Sequence, residues 1–513
     1  MPVGGLNVAK DTRDLVVTAP AVPAPTPATT GEMPRISASS SRRNAELALL
    51  VFVMVIVGVY AWTVEATALD TVTSDFWVPV ALVFAVFLGL HLVIRFLAPY
   101  ADPALVPAVA LINGLGVGFL RRIDLARAES AERANLPIFS GDGGRQLAWT
   151  LLAVVMAAVL LVIVRDHRAV SRYAYTLGLA GIVLVMIPAV LPSRYSEING
   201  AKLWILIGGF SIQPGEFAKL ALVSFFAYYL VRKREVLSLA SRRFLGIDFP
   251  RGRDLGPVVA VWLLSLMVLV FEKDLGTALL YFGMFVVILY VATERVSWLI
   301  IGLLLFFGGA TLAYLLGASV GGPFANFYDR VAIWRDPFAD PYSAGYQPVQ
   351  SLLGLGTGGL FGSGPGGGQP TKVPDVEDDF IFAGLGEEIG LFGLSAFLVG
   401  YLLIVERGLR AAIAVRDSFG KLVAGGLAFT LGLQVFVIVG GVTGLIPLTG
   451  QTTPFLSAGG SSLMANWLII AMLLRISDAA GRPVTGSASS RGGGGSPGPP
   501  VQLHGAPTEV IRS

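Results

Sequence analysis

Cysteine is absent from this chain, and charged residues are scarce in it. Of its 513 residues only 14% are Asp, Glu, Lys or Arg, whereas 54% are hydrophobic and the mean hydropathy is +0.72. The missing cysteine excludes disulfides, thiolate metal ligands and a cysteine nucleophile. Soluble domains carry about 25% charged residues, so the shortage of charge excludes a chain that mostly faces water.

Long apolar runs recur along the middle of the chain. Each is close to the roughly 20 residues that cross a ~30 Å hydrocarbon core. Lipid offers no partner to backbone N–H and C=O groups, so these groups must pair within a helix. The sequence therefore predicts an all-α polytopic membrane protein with about twelve spans. The predicted spans are 47–64, 77–96, 104–120, 147–165, 173–191, 212–231, 256–271, 275–292, 297–317, 385–405, 423–446 and 460–476.

The composition divides the chain into three parts, with boundaries at 1–44, 45–480 and 481–513. The first part is rich in Pro, Ala, Thr and Ser, and the last contains the run RGGGGSP at 491–497. Neither composition can bury a core, so we predict two disordered tails around one membrane domain. A charged, then apolar, then small-residue pattern does not open the chain, and we expect no cleavable signal peptide.

The basic residues of the short loops predict the orientation, because such loops favour the cytoplasmic side. Four basic stretches fall on one side of the predicted spans, which places both termini in the cytoplasm. These stretches contain Arg42, Arg43, Arg165, Arg168, Arg172, Arg232, Lys233, Arg234, Arg242, Arg243, Arg251, Arg253, Arg407, Arg410, Arg416 and Lys421. The connection 121–145 is an exception, since it is basic and falls outside, although it also carries four carboxylates.

The connection at about 318–385 is then a large extracytoplasmic loop. It contains seven Phe, Tyr and Trp residues between 324 and 346, so it can pack. It ends in PDVEDDFIFA at 374–383, and Glu387 and Glu388 follow. One interpretation is a solvated acidic rim. The other is a base or cation site, because ionisable groups at membrane depth are costly and mark function by default.

Polar groups also interrupt three other apolar regions, at 213–219 (QPGEFAK), 272–277 (EKDLGT) and 447–462 (PLTGQTTPFLSAGGSS). Glu216 and Lys219 are three residues apart and share a helix face, where they can pair. Such charges either fix helix packing as buried ion pairs or line a polar cavity. The broken segment 447–462 needs cover from protein or from a water-filled cavity.

Taken in order, these motifs resemble the shape, elongation, division and sporulation family, whose members include RodA and FtsW. The resemblance covers roughly residues 104 to 476, with ten core spans, so the pair near 47–96 is an N-terminal addition. The matching motifs are 200–204 (GAKLW), 213–219, 274–278 (DLGTA), 345–351 (GYQPVQS), 358–364 (GGLFGSG), 379–383 (DFIFA) with Glu387, Glu388 and Gly390, and Pro447 with 459–462 (GGSS).

The chain departs from the family pattern at several positions. Leu203 replaces the usual Arg before the motif Trp, Glu272 and Lys273 replace Gln-Pro, and Ala458 replaces Tyr. Asp378 stands where the family has a hydroxyl residue. Thr449 occupies a position where FtsW-type members often carry Lys, which favours the RodA, elongation-type branch.

The resemblance implies a peptidoglycan glycosyltransferase that polymerises lipid II on the outer face of the cytoplasmic membrane. It implies Asp379 as the general base that deprotonates the acceptor 4-hydroxyl. Cations must stabilise the diphosphate leaving group, and the candidates are Arg330, Lys372, Lys219 and a divalent ion such as Mg²⁺ or Mn²⁺ held by Asp375, Glu377 or Asp378. The candidate substrate-binding residues are Trp204, Gln213, Glu216, Lys219, Asp274, Arg330, Gln347, Ser351, Lys372, Glu387, Glu388, Ser461 and Ser462.

Two other functions stay open at this point. A lipid II flippase would also bind substrate at broken helices, although its site is expected at the bilayer midplane. A scaffold for cell-wall enzymes would not explain a carboxylate cluster beside a glycine-rich loop. The resemblance further implies a class B penicillin-binding protein as transpeptidase partner, and no nucleic-acid partner is expected.

Overall fold

A computed structural model describes most of the chain. The described residues are 38–69, 72, 76–131, 137, 139–198, 200–208, 210–238, 240–244, 247–250, 256–268 and 272–483. The predicted disordered tails lie outside these residues, apart from 38–44 and 481–483, and so do Arg251 and Arg253.

The described chain is built mainly from helices, as predicted. Its helices are α1 (Ala38–Leu69), α2 (Trp77–Leu97), α3 (Leu105–Ser130), α4 (Gly141–Ile163), α5 (Ala174–Val190), α6 (Ser193–Ser196), α7 (Pro214–Ser238), α8 (Gly256–Met267), α9 (Leu275–Thr293), α10 (Val296–Ser319), α11 (Ala325–Arg335), α12 (Tyr346–Gly358), α13 (Ile381–Ala414), α14 (Ser418–Val442) and α15 (Gly460–Gly481). Buried apolar side chains from the long helices form one core, which encloses Trp298 and Trp467 completely.

Each of the twelve predicted spans coincides with one of these helices over most of its length. Among the described residues, ten helical segments are long and apolar enough to cross a membrane. The other two predicted spans are α7 and α8. The 25-residue α7 carries Glu216 and Lys219 in its first two turns, which lowers its hydropathy, and the 12 residues of α8 fall short of the ~20 needed.

The ends of the helices meet at two faces of the bundle. On one face, Arg475 at the end of α15 donates to the carbonyl of Leu97 at 2.8 Å. On the same face, His167 before α5 contacts Asp417 before α14 at 2.8 Å. The predicted basic stretches around Arg42, Arg165 and Arg407 belong to this face, which we call the basic face.

The other face, which we call the cavity face, collects the opposite helix ends. Arg121 near the end of α3 pairs with Glu65 near the end of α1 at 2.9 Å. The backbone N–H of Gln213, just before α7, donates to Ser461 in the first turn of α15 at 3.0 Å. Consecutive long helices therefore run in alternating directions, as the sequence predicts for a polytopic chain.

The described part of the basic connection 121–145, which does not fit the predicted orientation, lies on the cavity face, and several of its charges are paired there. Arg127 contacts Asp142 at 2.7 Å and Glu377 at 2.5 Å, and Arg122 contacts Glu388 at 3.0 Å. These arginines act as internal ion-pair partners, which explains why a rule based on loop charge does not fit this connection.

Two details of the fold differ from the prediction. The sequence predicts the tenth span from 385, whereas α13 begins one turn earlier, at Ile381, and is interrupted at Gly390, where φ is 64°. Short antiparallel hairpins, which the sequence does not predict, are β1 (Glu197–Ile198) with β2 (Ala201–Lys202), β3 (Ile205–Ile207) with β4 (Phe210–Ile212), and β5 (Ala240–Phe244) with β6 (Ile247–Pro250). The first two connect α5 to α7 on the cavity face.

Candidate active site

A cavity of about 900 Å³ opens on the cavity face. The start of α4, the two hairpins after α5, the starts of α7 and α9, helices α11 and α12, and the segments 375–379 and 448–460 surround it. Its polar and aromatic lining residues are Asp142, Arg145, Gln146, Trp149, Trp204, Phe210, Ser211, Gln213, Lys273, Asp274, Arg330, Gln347, Asp375, Glu377, Asp378, Asp379, Thr449, Gln451 and Thr452.

The acidic segment of the cavity is folded as a tight turn. Asp375 has a positive φ of 48°, and its carbonyl accepts from the N–H groups of Asp378 at 3.0 Å and Phe380 at 3.3 Å. The side chains of Val376 and Phe380 are buried and anchor the turn. Because the apolar residues point inward, the carboxylates between them are presented to the cavity.

The broken segment 447–460 crosses behind this turn and is covered by protein, as the sequence predicts. The N–H of Ala458 donates to the carbonyl of Glu377 at 2.8 Å, and the hydroxyl of Ser457 donates to that of Asp378 at 2.6 Å. Gln146 donates to the carbonyl of Ser457 at 2.9 Å. These bonds satisfy irregular backbone that lipid could not cover.

Asp379 lies near a cation that is fixed at the cavity wall. Arg330 of α11 donates to the carbonyl of Leu448 at 2.7 Å, which holds its guanidinium at the cavity wall. Gly450, with φ of 72°, lies within about 3.6 Å of both the Arg330 guanidinium and the Asp379 carboxylate, measured from an ideal Cβ. Since this backbone favours glycine, the chain can pass between the two groups without a side chain.

The surroundings of Asp379 shift the pKa of its carboxyl group into a range that suits proton transfer. The pKa of its carboxyl group is raised to about 6 in total: burial raises it most, the nearby Arg330 charge lowers it, and Asp375 and Asp274 raise it. A group with a pKa near the working pH is an effective general base. Asp379 is therefore ionised at neutral pH and able to take up a proton.

The neighbouring Asp378 behaves differently. Burial, together with the charges of Asp379 and Glu377, raises the pKa of its carboxyl group well above the usual range. A carboxyl group in that state favours its protonated form, which makes it a poor proton acceptor. Of the two adjacent residues, Asp379 is the better base.

Three cationic side chains line the cavity, namely Arg145, Lys273 and Arg330. Of the cations predicted from the sequence, only Arg330 is among them. Lys219 is 2% exposed and pairs with Glu216 at 2.7 Å, while Lys372 is exposed outside the cavity. Neither Lys219 nor Lys372 lines this cavity, because packing and chain direction take both side chains elsewhere.

A buried polar layer lies beneath the cavity floor. Lys219, besides its pair with Glu216, donates to Gln434 at 2.8 Å. Asp274 caps α9 by accepting from the N–H of Thr277 at 2.9 Å, and it accepts from Gln451 at 3.0 Å. Glu216 and Lys219 thus take the structural role that the sequence left open, whereas Asp274 also reaches the cavity.

Several other predicted site residues are placed away from the cavity. Glu388 is fully buried against Arg122, and the carbonyl of Glu387 accepts from Ser363. These two residues hold the glycine-rich loop in place, so the interpretation as a solvated acidic rim does not apply to them. The remaining three are serines: Ser351 donates to the carbonyl of Val442, Ser461 accepts from Gln213, and Ser462 accepts from Asn466.

The predicted metal candidates do not form a protein-only metal site. Among the described residues no group of three or more His, Asp or Glu side chains is arranged to hold a metal ion. Gln347 donates to Asp375 at 2.7 Å, and Arg127 pairs with Glu377. Asp378 makes no side-chain hydrogen bond or ion pair in the part of the chain that the structure describes.

Sequence reasoning missed part of the cavity wall. Arg145, Gln146 and Trp149 come from the first turns of α4, a span whose start the sequence gives no reason to place at a site. Gln451 lies in the broken segment 447–462, which the sequence did single out. The sequence also gave a reason to consider Lys273 as a site residue, since this charge interrupts an apolar region beside Asp274.

Comparison with known proteins fits this architecture. The FtsW, RodA and SpoVE family model, described as cell cycle protein, matches residues 103–481. The chain is 49% identical over 444 residues to the peptidoglycan glycosyltransferase RodA of Mycobacterium tuberculosis, covering 86% of this chain and 92% of the relative. It is 47% identical over 450 residues to the protein of the same name from Mycobacterium leprae, covering 86% and 92%.

The chain also resembles a solved protein structure. It is described as "Structural coordination of polymerization and crosslinking by a peptidoglycan synthase complex". The TM-score is 0.54 at 26% identity, and the match covers 74% of this chain and 98% of that one. The motifs, the helical architecture and these matches agree, and the chain belongs to the FtsW, RodA and SpoVE family of membrane proteins.

Proposed function

We propose that this multi-pass membrane protein is a peptidoglycan glycosyltransferase that polymerises lipid II into glycan strands during cell elongation. The observation that carries the proposal is the Asp379 carboxylate, which lies in a polar cavity at the helix ends that three cationic side chains also line. The names of the mycobacterial relatives, which are about half identical to this chain, support the same reaction and the elongation branch.

The positions of the cavity side chains suggest which of them take part in each step of the reaction. Asp379 accepts the proton of the acceptor 4-hydroxyl as its oxygen attacks the anomeric carbon of the donor sugar. The bond from that carbon to the diphosphate oxygen breaks, and undecaprenyl diphosphate leaves with the electron pair. Arg330, Lys273 and Arg145 carry the charge that stabilises the leaving group. Trp204 and Trp149 offer apolar surface for sugar rings at the cavity wall.

A divalent cation, Mg²⁺ or Mn²⁺, is part of this proposal as a companion of the substrate. Mg²⁺ is typically bound by one or two carboxylates plus substrate phosphates. The candidate carboxylates, Asp375, Glu377 and Asp378, all line the cavity. The cation would add positive charge at the diphosphate.

The runner-up function, a lipid II flippase, fits the cavity less well. A transporter is expected to bind at the midplane between repeats, whereas this cavity lies at the helix ends. Liposomes that contain the protein and fluorescent lipid II separate the two. A polymerase converts lipid II into polymer, while a flippase changes only the leaflet from which lipid II can be reached; the latter result alone would overturn the proposal.

The same proposal fixes the orientation: the cavity face is extracytoplasmic, and both termini are cytoplasmic. Because the chain has no native cysteine, a thiol reagent labels only a cysteine that is introduced by substitution. A cysteine at Ser363, exposed on the cavity face, is expected to react with an impermeant thiol reagent in intact cells. A cysteine at Arg416, exposed on the basic face, is expected to react only after permeabilisation. The reverse pattern would contradict the orientation.

Activity should depend on pH through Asp379. Because the base must be ionised, kcat/KM is expected to fall as the pH drops through about 6, the pKa of Asp379. Arg330→Gln removes a charge that lowers this pKa, so its acidic limb should move to higher pH. Lys273→Gln is the matched control: it should slow the reaction and leave the limb in place. An unmoved limb in Arg330→Gln would exclude Asp379 as the titrating group.

The transpeptidase partner is proposed to be a class B penicillin-binding protein. The solved structure with a similar fold is described as part of a peptidoglycan synthase complex. A polymerase that makes strands needs a transpeptidase to crosslink them, so a partner of that class matches the chemistry.

A further inference from the structure

Helix α1, which lies before the residues that the family model matches, extends beyond the expected membrane core. Its 32 residues span about 48 Å at 1.5 Å per residue, whereas the hydrocarbon core is ~30 Å thick. The final turns of α1 lie on the cavity face, where Glu65 pairs with Arg121 and Thr67 lies close to the glycine-rich loop 362–368.

The projecting end of α1 is fixed to α3 by close packing and by an ion pair. Ideal Cβ atoms at Gly114 and Gly118 of α3 would lie 2.7 Å from Val57 and 2.9 Å from Tyr60, so α1 is seated on these glycines. Glu65, only 4% exposed, pairs with Arg121 at 2.9 Å. Buried ion pairs add little stability over apolar packing, so we interpret this pair as a positional contact.

The same end of α1 contacts the loop itself. An ideal Cβ at Gly366, where φ is 85°, would lie 2.8 Å from the Cβ of Thr67. From the other side, Arg122 donates to the carbonyls of Gly366 at 3.0 Å and Gly368 at 2.8 Å, and it pairs with Glu388. The loop is therefore held between α1 and adjacent residues of α3.

The acidic turn at 375–379 follows the loop after six residues, and α3 also holds this turn through the pair of Arg127 with Glu377. We propose that α1 positions the catalytic segment. Glu65 fixes α3 through Arg121, the neighbour of the loop-binding Arg122, and Thr67 packs against Gly366, so that the loop that precedes Asp379 is held in place. This inference rests on the proposed glycosyltransferase activity and gives the N-terminal helix a role in it. Glu65 and Thr67 are positioning residues, because neither lines the cavity.

The test is the rate of lipid II polymerisation by the full chain with its partner. Glu65→Gln is expected to lower kcat roughly 10- to 100-fold, since small misplacements of a catalytic group have effects of that size. The KM for lipid II should change little, because the cavity lining is intact. Glu65→Asp keeps the carboxylate and should recover most of kcat. Glu294→Gln alters an exposed ion pair with Arg234 and should match the wild type.

The outcomes separate the two proposals when the wild type and Asp379→Asn are assayed together. If the wild type forms polymer and Glu65→Gln matches its kcat, the positioning role is wrong. It is also wrong if Glu65→Gln loses activity only in proportion to folded protein, measured by melting in detergent, or if it raises KM alone. If the wild type forms no polymer, the proposed function fails, and this inference fails with it.

Discussion

The Asp379→Asn variant is expected to polymerise lipid II roughly 10²- to 10⁴-fold more slowly than the wild type, the usual contribution of a general base. The amide keeps the size of the side chain but cannot accept the proton of the acceptor hydroxyl. Folding and partner binding should survive, because the substitution removes a charge from a buried position instead of adding one. Polymer length on a gel, with a transpeptidase-inactive partner to prevent crosslinking, measures the effect.

Asp378→Asn is the internal control for that substitution. Burial and neighbouring carboxylates raise the pKa of Asp378 well above its usual range, so a neutral amide resembles the group that it replaces. We expect a smaller loss than for Asp379→Asn. Wild-type rates in Asp379→Asn together with an inactive Asp378→Asn would mean that the base is the other residue.

Lys219→Ala is expected to destabilise the fold by roughly 3–5 kcal/mol, the effect of removing one partner from a buried ion pair. The substitution leaves the Glu216 carboxylate buried without its counter-charge and deprives Gln434 of a donor at 2.8 Å. The melting temperature in detergent should fall, and Glu216→Gln in the same chain should restore part of it.

The matched control for Lys219→Ala is Arg234→Ala. Arg234 pairs with Glu294 at 3.4 Å, and both side chains are exposed. Exposed pairs contribute about 0–1 kcal/mol, so this variant should melt close to the wild type. Equal melting temperatures of the two variants would show that the pair of Lys219 with Glu216 does not stabilise the fold.

The number and positions of the spans were predictable because a lipid environment leaves few options for an apolar run. Hydropathy, however, predicts the first and last residues of a helix poorly. The sequence places the start of the tenth span at 385, but α13 begins at Ile381, since Ile381 and Phe382 pack into the core and continue the helix. The hairpins after α5 are two to three residues per strand, too short for an alternating pattern to be visible in the sequence.

The site was predictable where charge interrupts an apolar region. The acidic turn, Asp274 and the broken segment 447–462 all line the cavity, and the sequence singled out each of them. Which charges pair with one another was not predictable. Arg122 and Glu388, far apart in the sequence, meet only because α3 packs against α13. Likewise, the direction of a side chain decides that Lys273 reaches the cavity and Lys372 does not.

A single assay tests whether the protein polymerises lipid II and whether Asp379 is required for the reaction. Purified wild-type protein is incubated with lipid II and a transpeptidase-inactive partner, and the glycan strands are followed on a gel. We expect long strands from the wild type and almost none from Asp379→Asn at equal protein concentration. Lipid II that remains unpolymerised with folded wild type and partner, or strands of equal yield from both proteins, would contradict the proposed mechanism.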